Sequence, residues 1–240
     1  MVAHERVVRG EQLTEDPRAT ALPAVLDLPL RLEAWEPAYA VAEYEPDKLT
    51  TPAPRLPPLR RLQKPGAGKT GPLRGRGTLA IGPEGGCSQG HLGSVRLALE
   101  DLAGTWTSES NGRAEAVGVT GSAVDAVRAL GAEPVEIVEL EPETAIALMA
   151  WAAANGGAHG RRRGTAPGRF GAWSVLAAIA GVDDDWPSAS ARLAEAAISS
   201  RWYAWGAGEP ATGWSLRVAC EVSFGPADGT AFALSAIDAY

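Results

Sequence analysis

Leu92, Val95, Leu99 and Leu102 recur three and four residues apart, the spacing of one helix face, and Gly104 supplies a stop. Ala114–Thr120 then reads as a strand. Helical spacing returns at once: Ser122 is placed to cap, Asp125 sits three residues on, and Val124, Val127 and Leu130 share a face before Gly131. Val135–Leu140 is the next strand, and Pro142 and Glu143 suit the first turn of an apolar helix running through Ala154. Phe170, Trp173, Leu176 and Ala177 stripe a further helix ending near Gly181, and a shorter one covers Ala189–Ser199. Three strands close the chain: Arg201–Trp205, Trp214–Val222 and Thr230–Asp238. In the second of these, Trp214, Leu216, Val218, Cys220 and Val222 face one way. Ser215, Arg217, Ala219 and Glu221 face the other, toward water or a sheet edge.

The first third of the chain has a different texture. Leu26, Leu28, Leu30 and Leu32 alternate with polar residues, which predicts a half-buried strand, and Pro29 makes it an edge. A short strand is expected at Ala38–Glu43 and another at Thr78–Ile81. Between them, residues 46–76 hold Pro46, Pro52, Pro54, Pro57, Pro58, Pro65 and Pro72, so neither helix nor central strand can form there. The reading is an N-terminal segment over residues 1–45, a Pro-rich basic linker over 46–76 and a core domain over 77–240. The fold class is α+β: a mixed, largely antiparallel sheet with packed helices, preceded by the linker. The early strand–helix–strand rhythm allows some parallel pairing, while the final meander is antiparallel.

With 240 residues, 45% of them hydrophobic, the chain can bury a core without a metal or disulfide staple. Cys87 and Cys220 match no zinc spacing, and two free thiols suit a reducing compartment. Met1 to Gly10 has no apolar run, and nothing approaches the roughly 18 uninterrupted apolar residues of a membrane span. A soluble cytoplasmic protein without membrane contact is expected. The net charge of −7 hides a division: residues 55–76 carry seven basic side chains and no acidic one, while the rest is acidic. An acidic body argues against nucleic acid as a partner except through residues 55–76, and that segment has no aromatic residue for base stacking.

Gly66-Ala67-Gly68-Lys69-Thr70 imitates the end of a phosphate loop. Gln63 stands where the motif needs glycine, and prolines flank it, so it is rejected as a nucleotide site. Asp183, Asp184 and Asp185 are consecutive, so their side chains diverge and no metal site is expected. Cys87 and His91 lie four apart at a helix start, where a thiolate would gain from the helix dipole and an i, i+4 histidine. No third orienting residue is identifiable, and burial of a small thiol beside a structural histidine is the preferred explanation. The richest stretch is Asn155 to Arg169. It holds Gly156, Gly157, Gly160, Gly164 and Gly168 with Arg161, Arg162, Arg163 and Arg169, and Thr165 is placed to cap the next helix with Pro167 in its first turn. Guanidinium forks and glycine amides at a helix start suit a phosphate or carboxylate. The competing explanation is surface pairing with acids such as Glu139, Glu141 and Glu143, which contributes about 0–1 kcal/mol per pair. Among the eight tryptophans, Trp151 and Trp173 belong to apolar helices, while Trp202, Trp205 and Trp214 line either the core or a ligand groove.

Three tracts look familiar. They are Ser110-Asn111-Gly112-Arg113-Ala114-Glu115-Ala116, the run Gly156 to Gly164 continuing through Arg169-Phe170-Gly171-Ala172-Trp173, and the ending Trp205 to Pro210, Thr212 to Arg217 and Ser235 to Asp238. Over roughly residues 90–240 they resemble an uncharacterised actinobacterial family, a domain of unknown function. The resemblance implies a cytoplasmic protein and no established reaction. The leading expectation is a binding protein whose anion site comprises Arg161, Arg162, Arg163 and Arg169 with the amides of Gly156, Gly157 and Gly164. An anionic small molecule or an acidic protein surface is the expected partner, with no cofactor. The alternatives are an enzyme using Cys87 and His91, or a scaffold docking through the basic linker.

Overall fold

The computed structural model describes residues 32–37, 56–58, 60–61, 88–132, 136–182, 189–206 and 213–238. Strands β1 (Arg60–Arg61), β2 (Arg113–Thr120), β3 (Glu136–Leu140), β4 (Arg201–Gly206), β5 (Trp214–Val222) and β6 (Thr230–Asp238) form one sheet in the order β1-β3-β4-β5-β6-β2. Every neighbouring pair is antiparallel. The parallel pairing that the early rhythm allowed is not present among these strands. The reason is topological: β2 and β3 do run in the same direction, but β6, β5 and β4 lie between them. Helix α3 (Ala123–Ala129), which joins β2 to β3, packs across β2, β6 and β5 on the way.

The sheet has two unlike faces, set by the period-two alternation of its strands. The first carries Trp202 and Ala204 of β4, the apolar stripe Leu216, Val218, Cys220 and Val222 of β5, and Phe232, Leu234 and Ala236 of β6. Against it lie α1 (Gln89–Asp101), α2 (Gly104–Ser108), α4 (Pro142–Ala154), α5 (Thr165–Ala180) and α6 (Ser190–Ser199). The second face buries Ile137, Tyr203, Trp205, Ala219, Ala231 and Ala233 in a smaller cluster with α3. Ala219, expected to face water or an edge, is therefore covered, and the Arg217 guanidinium lies 5.2 Å from the centroid of Trp205.

Local signals account for several of the helix ends. Ser88 caps α1 by accepting from the His91 amide, and Ser122 and Asp125 form the reciprocal capping box of α3. As expected, α1 stops before Gly104, at Asp101, and Gly104 then opens α2, whose turn carries Trp106 wholly into the core. One end differs from expectation. Thr165 is the first residue of α5, not its cap; Gly164 takes that position with φ 93°.

Residues 32–37 reach the core. Leu32 and Trp35 pack against the main cluster, and the Trp35 and Trp173 rings lie 5.1 Å apart. Leu32 belongs to no strand, and residues 26–31 of the expected edge strand lie outside the described residues. So do the expected strands at Ala38–Glu43 and Thr78–Ile81 and most of the 46–76 linker, of which Arg60–Arg61 pair with β3 at a sheet edge. Among the described residues no helix is long and apolar enough to cross a membrane.

Candidate functional site

The glycine- and arginine-rich loop leaves the end of α4 and returns to the start of α5 beside one end of the sheet. Its departure is fixed by Asn155, which is buried. The Asn155 carbonyl accepts from Thr105 Oγ1 at 2.8 Å and Trp106 Nε1 at 3.1 Å, and its side-chain Nδ2 donates to the Trp151 carbonyl. The Gly160 amide then donates to the Gly156 carbonyl at 2.9 Å, and the Arg163 and Gly164 amides both donate to the Ala154 carbonyl. A Cβ on Gly156 would strike the Gly160 backbone, and one on Gly157, at φ 72°, would strike the Asp238 carboxylate. These glycines let the chain approach itself. From sequence, that need and approach to a ligand look alike.

The arginines divide into two groups. Arg161 and Arg163 are exposed on the rim of the loop and Arg162 is half-buried. The loop leans on Glu109, whose Oε2 accepts the Arg161 amide at 3.0 Å and whose Oε1 receives Arg163 Nη2 at 3.5 Å. The Arg161 amide, with help from Arg163, holds the Glu109 carboxyl below its ordinary value. Beside it the His159 amide donates to Ser110 Oγ. Arg169 stands apart in the first turns of α5, fully buried, and forks onto Glu36: Nε to Oε1 and Nη2 to Oε2, each 2.5 Å. Trp173 Nε1 donates to the same Oε1 at 2.8 Å and the Glu33 amide to Oε2 at 2.8 Å, completing a buried carboxylate pocket filled by the chain's own Glu36. Of the residues singled out from sequence, Gly156, Gly157, Gly164, Arg161, Arg162 and Arg163 share one loop, whereas Arg169 is turned inward.

Beneath the loop lies Asp238, the last residue of β6, with 0% exposure. Its Oδ2 accepts the Ala158 amide at 2.6 Å, while Oδ1 is buried without a hydrogen-bond partner. Trp214, its register partner on β5, stacks on Trp151 at 5.4 Å and 13°, and Trp106 meets both edge-on at 5.8 and 6.2 Å. Trp151, Trp106 and Trp214 thus form one cluster under the loop. Trp202 is core, with its Nε1 on the Ala197 carbonyl, and Trp205 belongs to the other face. Sequence reasoning missed Glu36, Glu109 and Asp238. Only Asp238 carries a signal: a carboxylate in the fourth place of the inward stripe Phe232, Leu234, Ala236.

His91 lies near the opposite end of α5 from the loop. It is half-buried near Gly181, where an added Cβ would stand 3.5 Å from His91 Cε1, so about 24 Å of α5 separates it from the arginine loop. Its intended partner Cys87 lies outside the described residues, as do Gly66 to Thr70 and Asp183 to Asp185. Cys220 is buried, and burial pushes its thiol up to about 12. No group of three or more metal-ligating side chains occurs among the described residues.

The chain belongs to the family of unknown function DUF6183, whose model matches residues 1–224. The match therefore takes in the N-terminal segment and the linker, where no resemblance was expected, along with the arginine loop. No curated protein and no solved structure matches the chain.

Proposed function

We propose that the protein binds a phosphate- or carboxylate-bearing ligand at the rim of the 155–164 loop, through the Arg161 and Arg163 guanidinium groups, the Arg161 amide and the neighbouring Arg162. The observation carrying this reading is Glu109. Its carboxylate rests on the Arg161 amide and the Arg163 guanidinium, so these donors already converge on one anion. Both partners are exposed, and an exposed ion pair contributes only about 0–1 kcal/mol, so an external oxyanion can replace it. Arg169 serves the site indirectly, by holding the start of α5 on Glu36, and the glycines shape the loop. A cytoplasmic setting belongs to the same reading and is supported by the buried free thiol of Cys220.

The test is a thermal-shift titration with inorganic phosphate and short dicarboxylates. A ligand at about a hundred times its dissociation constant adds roughly 2.7 kcal/mol, a visible rise in melting temperature. The wild-type protein is expected to shift, the R161A/R162A/R163A variant to lose the shift, and Glu109→Ala to bind several-fold more tightly because the internal competitor is gone. No shift in either wild type or Glu109→Ala with any anion overturns the reading.

A further inference from the structure

We infer that Asp238 and Trp214 form a subsite for a positively charged nitrogen, so that the ligand taken at the rim carries an ammonium as well as an anionic group. The inference rests on the anion reading above and names the ligand class of that site.

The first observation is the carboxylate itself. The inward positions of β6 read Phe232, Leu234 and Ala236, all fully buried, and the next inward position is Asp238, buried to the same degree. Nearly all buried polar atoms in folded proteins have a partner, because an unmet one loses its hydration for nothing. Asp238 meets that rule with one oxygen only. Oδ2 takes the Ala158 amide; Oδ1 takes nothing, and no lysine, arginine or histidine pairs with this carboxylate among the described residues. A carboxylate oxygen can only accept, so what completes it must donate, and a cation does so most strongly.

The second observation is the neighbour. Trp214 pairs with Asp238 across the β5–β6 ladder on the same face of the sheet, so their Cβ atoms lie about 4.5–5.5 Å apart. Trp151 backs Trp214 as a stacked ring. An indole face beside a carboxylate is the pairing that favours an ammonium over a neutral donor. Ala158 and Trp214 are each only half-buried, so the carboxylate sits one layer below solvent. The Ala158 amide is three residues from the Arg161 amide that holds Glu109, a separation of at most about 11 Å along the chain. One small molecule with oppositely charged ends can therefore engage both.

The probes are inorganic phosphate, ethyl phosphate, phosphoethanolamine and ethanolamine, titrated calorimetrically into the full chain. Ethyl phosphate and phosphoethanolamine differ by the ammonium. Phosphoethanolamine is expected to bind about tenfold or more tightly than ethyl phosphate, the scale of one charge-assisted contact. In Asp238→Asn, which keeps an acceptor for the Ala158 amide, that preference should vanish while phosphate affinity stays. Trp214→Leu should reduce the preference without touching Asp238, and guards against a folding defect in the first variant. Equal binding of ethyl phosphate and phosphoethanolamine to wild type overturns the ammonium subsite and leaves the anion reading standing. Binding of ethanolamine with no binding of any phosphate keeps the subsite and overturns the anion reading.

Discussion

Arg169 and Glu36 have both left water completely, and the stability of the pair depends on every lone pair and N–H finding a partner. The Glu36 carboxylate accepts two bonds from Arg169, one from Trp173 Nε1 and one from the Glu33 amide. The Arg169 guanidinium also lies 5.2 Å from the centroid of the Trp173 ring. Removing one partner strands a charge in the core. Glu36→Ala should therefore destabilise the protein by about 3–5 kcal/mol in urea denaturation. The double replacement Glu36→Leu/Arg169→Met should cost much less than the single one, because no uncompensated charge remains. A single and a double variant of equal stability would show that the segment around Trp35 docks by apolar packing alone.

Helices α4 and α5 meet through glycine. A Cβ on Gly168 would press into the Ala150 carbonyl and come within 2.9 Å of Ala154 Cβ, and one on Gly171 would press against Ala153. This closeness places the two ends of the arginine loop side by side. Alanine is the better helix former by about 1 kcal/mol, yet Gly168→Ala should be net destabilising by about 1–3 kcal/mol because the helices must part. A rise in melting temperature would show that the crossing has slack. The elements themselves were legible in the sequence wherever their determinants are local. The capping box Ser122/Asp125, the Pro142 start of α4 and the Gly181 end of α5 each lie within a few residues of the turn they control. The order of the strands was not, since it depends on pairings such as Arg113 with Ile237 that no short window contains. The candidate site was half legible for the same reason. Its loop announced itself by composition, but the carboxylates that hold it, Glu36 and Glu109, come from distant segments with no pattern of their own.

For the molecule as a whole, Cys220 is a reporter placed at the middle of the sheet. Burial raises its thiol from the ordinary value of 9.0 to about 12, so the folded protein keeps it protonated while the unfolded chain loses that proton near pH 9. Its contribution is intact below the unfolded value and declines as pH rises toward the folded one, by at most about 1.4 kcal/mol per pH unit. Denaturation midpoints should fall between pH 9 and 11, and more gently in Cys220→Ala; an identical slope in both would place the alkaline loss elsewhere. Iodoacetamide should modify Cys220 only at the rate of global unfolding. Strand β6 has a different consequence. It pairs along its length with both β5 and β2, yet it follows them in the chain. A ribosome adding about 5–20 residues per second releases β2 some 5–20 s before the strand that will hold it. Through that interval the newborn chain displays Val117 and Val119 on a strand with no neighbour, so its greatest exposure to misassembly comes during birth, when a chaperone has most to shield.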